Sequence, residues 1–109
     1  MHELAITESI VAAVTEKLPG APIRRVCVEV GELSGVVPDA LRFCFELACA
    51  GTTLEGASLD IVRMPGRGQC QSCSAEFDTT DFLVLCACGS AEVTVLGGRE
   101  LRIREVEVV

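Results

Sequence analysis

The chain has 109 residues, half of them apolar, and 9 basic against 16 acidic side chains give a formal net charge of −7. That length holds one modest core, or a small core with a metal-stapled satellite, and excludes two full-sized domains; the charge repels phosphate backbones and anionic lipid surfaces, so neither nucleic acid nor membrane is an expected partner. No apolar run reaches the roughly 18 residues of a membrane helix, and the N-terminus lacks the basic region, apolar stretch and cleavage site of an export signal, so a cytoplasmic location is expected.

Between Leu4 and Leu18 the apolar residues Ile6, Ile10, Ala13, Val14 and Leu18 recur every three or four positions until Pro19-Gly20 stops them, the pattern of an amphipathic helix. Val26, Val28 and Val30 then alternate with Arg25, Cys27 and Glu29, predicting a strand with one buried face. Gly31 to Gly35 reads as a turn. Pro38 lacks an N–H that the first turn of a helix does not need, so it opens a second helix with Leu41, Cys44, Phe45 and Ala48 along one face as far as Gly51. Leu59 and Ile61 flank Asp60 in another strand, which Pro65-Gly66-Arg67-Gly68 breaks. A second break, Gly97-Gly98, precedes Leu101, Ile103, Val106 and Val108, a strand whose apolar phase slips by one near Arg104-Glu105, where a bulge or bend would absorb it.

That final strand has little to pair with in the segment before it and is assigned to the first sheet. The expected fold class is α+β: two helices on a small, mainly antiparallel sheet, with an inserted four-cysteine, zinc-ribbon-like module. Residues 1–66 and 99–109 would form the discontinuous α+β domain and residues 67–98 the insert. Glu29, Glu32 and the arginines at 24, 25, 99, 102 and 104 read as solvated surface.

Of the seven cysteines, Cys27, Cys44 and Cys49 sit among apolar neighbours and read as ordinary buried thiols. Cys70, Cys73, Cys86 and Cys88 cluster instead, in a pattern unlike a secreted disulfide framework. Cys70-Gln71-Ser72-Cys73 aims two sulfurs at one ion from a single turn, and Cys86-Ala87-Cys88-Gly89 supplies a second pair one residue shorter than usual. Four thiolates suit tetrahedral Zn(II) and leave no position for water, so the site is expected to be structural, with Asp78 or Asp81 as a substitute ligand if the short spacing misplaces a sulfur. The module has only Phe77, Phe82, Leu83, Val84 and Leu85 to bury, so metal would have to supply its stability.

The single histidine is His2. The amine of Met1, backbone amide nitrogens, the His2 imidazole and the Glu3 carboxylate can converge on one ion in the tetragonal geometry that suits Ni(II) or Cu(II), although a penultimate histidine is usually just a solvated terminal residue. No acid–base or nucleophilic constellation accompanies it, so an enzyme is not expected. The alternative class is a zinc-ribbon adaptor, a protein-binding module without a transferable metal.

Met1-His2-Glu3 occurs together with Gly31-Glu32-Leu33-Ser34-Gly35-Val36, Leu41-Arg42-Phe43, Phe45-Glu46, Pro65-Gly66, the cysteine module and Gly98-Arg99-Glu100-Leu101. In this ordered set the chain resembles the HypA/HybF family of hydrogenase nickel-incorporation proteins, from its first residue to its last strand. The resemblance implies a metallochaperone that binds nickel at Met1, His2 and Glu3, with His2 the essential ligand, and holds structural zinc at Cys70, Cys73, Cys86 and Cys88. It implies work with the nickel-handling GTPase HypB and with the precursor of the [NiFe]-hydrogenase large subunit. Some members of the family also serve urease maturation. The chain departs from the family at the Cys86/Cys88 spacing and at Val37, where an acidic residue is frequent. Oligomeric state, a homodimer included, is left open.

Overall fold

The computed structural model describes residues 3–109. In chain order it contains α1 (Glu3–Lys17), β1 (Ile23–Gly31), α2 (Pro38–Cys49), β2 (Ser58–Met64), β3 (Gly66–Cys70), β4 (Glu76–Thr79), β5 (Val93–Gly97) and β6 (Leu101–Val108). The strands form two three-stranded sheets, ordered β2-β1-β6 and β4-β3-β5. The α+β class expected from the pattern is the one observed. Among the described residues no helix is long and apolar enough to cross a membrane.

Two compact units divide the chain. The first takes the chain up to Glu29, with Val36–Val62 and Arg102–Val109; the second takes Val30–Gly35 and Arg63–Leu101. In the first unit α1 packs on α2, burying Ile10, Val11 and Val14 of one helix and Leu41, Phe45 and Cys49 of the other. Pro38 does sit in the first turn of α2, and no side chain caps that helix. Thr7 is fully buried although polar, because its hydroxyl donates to the Leu4 carbonyl one turn back at 2.8 Å, which satisfies it inside the core. The cysteines at 27 and 49 are buried and Cys44 half-buried; burial alone pushes the Cys49 thiol up to about 11.

The solvated acids and arginines of the sequence reading are in large part paired. Arg25 on β1 reaches Asp60 on β2 (2.7 Å) and both Glu105 (2.8 Å) and Glu107 (3.2 Å) on β6. Hydrogen bonds donated by its guanidinium to Glu105, Asp60 and Glu107 hold it charged. Arg102 meets Glu29 at 2.7 Å and Arg63 meets Glu32 at 2.7 Å. β1 meets β6 in opposite sequence order at these pairs, so that pairing is antiparallel. The Arg25–Asp60 and Glu32–Met64 contacts run in the same order, so β1 and β2 are parallel, an arrangement that needs a crossover connection such as the one containing α2. On β6 Arg104 and Glu105 are both exposed, so burial changes phase where the apolar pattern does.

In the second unit the structure departs from the sequence pattern. Pro65-Gly66-Arg67-Gly68, expected to break the chain, leads into a strand: β3 pairs antiparallel with β4 from Gly66↔Thr79 to Gln69↔Glu76, and with β5 from Arg67↔Gly97 to Cys70↔Val93. Glycine is there for close approach. A Cβ at Gly66 would lie 2.5 Å from Leu33 Cδ1 and 2.8 Å from the Thr79 carbonyl oxygen, and one at Gly98 would strike the Gly66 Cα. A Cβ at Gly31 would in turn strike the Gly98 carbonyl. Three glycines from distant parts of the sequence thus meet without side chains between them, tied by Gly31 N to Glu100 O (2.8 Å) and Leu33 N to Gly98 O (2.7 Å). Gly98 also has φ = +101°, where a side chain is strained. Gly98→Ala is expected to destabilise the second unit by more than the roughly 1–3 kcal/mol of backbone strain alone, as measured by amide exchange across β3 and β5.

Candidate metal centre

Cys70 ends β3. Its amide donates to the Ala75 carbonyl (2.9 Å) and its carbonyl accepts from Ser74 N (2.9 Å), closing a turn in which Ser74 takes φ = +65°. The Cys73 amide donates to the Cys70 sulfur at 3.4 Å. On the other side the Cys86 amide donates to the Ser90 carbonyl (3.0 Å) and the Gly89 amide to the Cys86 carbonyl (2.9 Å), with Gly89 at φ = +93°. The two turns are joined by Ser72 Oγ to Ser90 Oγ at 3.0 Å and Gln71 N to Glu92 O at 2.8 Å.

These turns bring all four sulfurs within 4.8 Å of one another, with Cys70 to Cys88 and Cys73 to Cys86 each at 3.6 Å. A tetrahedral ion with metal–sulfur bonds of about 2.3 Å requires sulfur–sulfur edges of about 3.8 Å. The donor set fits a tetrathiolate zinc site. The short Cys86-Ala87-Cys88 spacing is accommodated because the left-handed Gly89 lets the chain wrap tightly after the second sulfur. A substitute carboxylate is not called upon: Asp78 is engaged by Arg67 at 2.6 Å.

The metal-free cluster is electrostatically uneven. The Cys73 amide holds the Cys70 thiol down at about 6, helped by the Ser72 amide and the Cys88 and Cys73 side chains, against the opposing effect of burial. At Cys86 the Cys88 amide works downward, but burial and the sulfurs of Cys88, Cys73 and Cys70 together push it up to about 12. Of these two sulfurs Cys70 is the one more readily ionised. Because ligands bind as thiolates, uptake of Zn(II) by chelator-stripped protein is expected to slow as pH falls; stopped-flow uptake against pH measures this.

Met1 and His2, two of the three expected nickel ligands, lie outside the described residues. Glu3, the third, opens α1, and its Oε2 accepts from the Val37 amide just ahead of α2 at 3.4 Å. Sequence reasoning placed the cysteines but missed this bond, which involves a backbone group and leaves no sign in residue types. It also expected Phe82, Leu83 and Leu85 in the module's core, whereas they are exposed.

A family model described as "Hydrogenase/urease nickel incorporation, metallochaperone, hypA" matches residues 1–108. The hydrogenase maturation factor HypA of Geobacter metallireducens is 48% identical over 109 residues, covering 99% of each chain. That of Nostoc punctiforme is 46% identical over 108 residues, covering 99% of this chain and 96% of its own. Among solved structures, the solution structure of the Ni metallochaperone HypA from Helicobacter pylori matches with a TM-score of 0.69 at 27% identity, covering 100% of this chain and 98% of that one. A likeness that runs from end to end at this identity means that the chain belongs to the HypA family of hydrogenase and urease nickel-incorporation metallochaperones.

Proposed function

We propose that this chain carries Ni(II) at its N-terminus and delivers it to the precursor of a [NiFe]-hydrogenase large subunit, while Cys70, Cys73, Cys86 and Cys88 hold a structural Zn(II). The observation that carries the reading is the family match over residues 1–108, which takes in Met1-His2-Glu3. The Met1 amine, the amides near His2, the His2 imidazole and the Glu3 carboxylate form a nitrogen-rich set suited to tetragonal Ni(II). Such a shell has few side-chain ligands, so it can release its cargo. Copper(II) would outcompete nickel there in a test tube, so selectivity comes from metal supply and docking. The Glu3–Val37 bond supports the reading by tying the start of α1 to the start of α2.

In this reading residues 1–66 and 99–109 are the nickel domain and residues 67–98 the zinc module. Bound zinc would supply the cross-link that fixes the two cysteine turns. Partners are a nickel-handling GTPase, HypB, and the hydrogenase precursor, with urease factors and a homodimer as further assemblies to test. Free cysteines throughout support a reducing cytoplasm.

The test is a nickel titration with metal analysis on protein carrying its native N-terminus, beside His2→Ala and a form with one residue added before Met1. The carrier reading expects nickel on the native protein, its loss from both variants, and unchanged zinc. Nickel binding that ignores His2 would leave a zinc-stabilised adaptor.

A further inference from the structure

Phe82, Leu83, Val84 and Leu85 lie between β4 and Cys86 in no helix or strand. Phe82 is 72% exposed, Leu83 74% and Leu85 49%. Single apolar side chains on a surface are ordinary, but a contiguous run marks a surface that something covers. This run is also pinned at both ends. The Asp81 amide donates to Thr79 Oγ1 at 3.2 Å, and the Cys86 amide donates to the Ser90 carbonyl at 3.0 Å inside the metal-binding turn. A short apolar loop held at its base loses little freedom when it docks.

The charges around the loop narrow the choice of occupant. From Gly68 to Gly98 the sequence has Glu76, Asp78, Asp81 and Glu92 and no lysine or arginine. Arg67 pairs with Asp78 and Glu76 at 2.6 and 3.4 Å, whereas Asp81, next to Phe82, and Glu92 form no ion pair among the described residues. A second copy of the chain would bring the same acidic rim and a net charge of −7 against this one, and phosphate backbones or anionic membranes are repelled in the same way. The complement of this surface is a protein pocket that is apolar inside and basic at its edge.

We propose that residues 81–85 are a docking loop that places Phe82 and Leu83 in an apolar pocket, rimmed by lysine and arginine, on a partner protein. The loop lies apart in sequence from the N-terminal cargo ligands, so the proposal stands whether or not the nickel reading does. Contacts at the apolar centre set how long the complex lasts, and Asp81 at the rim sets its salt dependence.

The experiment places a photo-crosslinking benzoylphenylalanine at position 83 of the full chain in its own cells, identifies the adduct, and measures binding of the purified pair at low and high salt. The proposal expects one protein adduct whose purified form binds the wild type. Phe82→Ser with Leu83→Ser should weaken that binding at least tenfold. Asp81→Lys should weaken it at low salt and flatten its salt dependence, and Phe43→Ser, a change at another exposed apolar residue, on α2, should leave it unchanged. Metal content and thermal midpoint check that each variant is folded. Should the double variant lose its metal, Asp81→Lys alone decides. No adduct, an adduct only with a second copy, with nucleic acid or with lipid, or a partner indifferent to these substitutions would overturn the proposal.

Discussion

Cys86→Ala is expected to strip the second unit of its metal and of its ordered structure while leaving α1 and α2 helical. The unit has little else to hold it: of its larger apolar residues Phe82, Leu83 and Leu85 face solvent, and burial falls on Val30, Leu33, Cys70 and Cys86 beside glycines. Metal binding in small zinc peptides contributes about 10–16 kcal/mol, which is comparable to the roughly 5–15 kcal/mol net stability of a whole domain. The first unit has its own core of Ile10, Val14, Val26, Val28, Leu41 and Phe45. Amide exchange read by mass spectrometry should therefore show β3, β4 and β5 losing protection together while the helices keep theirs. Persistent protection in β3 and β5 of the metal-free variant would mean that hydrogen bonds and the glycine junction suffice without the ion.

His2→Ala should have the opposite signature. It leaves zinc and fold intact and removes the imidazole from the proposed nickel shell. Changes to groups merely supporting a metal ligand cost about 10–100-fold in affinity, so loss of the ligand itself should cost more. In cells this predicts loss of hydrogenase activity that excess nickel in the medium restores, since mass action replaces the carrier. Cys86→Ala should resist that rescue if docking needs the second unit. Rescue of both variants, or of neither, would show that the two units do not divide the work in this way.

The parts of the fold legible in the sequence are those where one physical pattern acts alone. The three- and four-residue spacing in α1, Pro38 at the start of α2 and alternation along β1 each report burial directly. The cysteine tetrad was legible because ligand chemistry constrains both residue type and spacing. β3 was not, because a glycine needed for close packing looks the same in sequence as a glycine needed for a turn. Thr7 shows the same ambiguity for a polar residue, whose hydroxyl is satisfied locally and so can be buried. Phe82 to Leu85 misled in the other direction: apolar character predicts burial, but not whether the covering surface belongs to the same chain.

The meeting of Gly31, Gly66 and Gly98 bears on the order in which the protein can be made. Gly98 and Glu100 leave a ribosome after all four clustered cysteines, yet they accept the hydrogen bonds that fix Gly31 and Leu33. A nascent chain that already displays Cys70, Cys73, Cys86 and Cys88 still lacks the backbone that closes the unit around them. Metal captured before those residues emerge would thus sit in a half-assembled pocket, and the protein would commit to it only once Gly98 and Glu100 are in place.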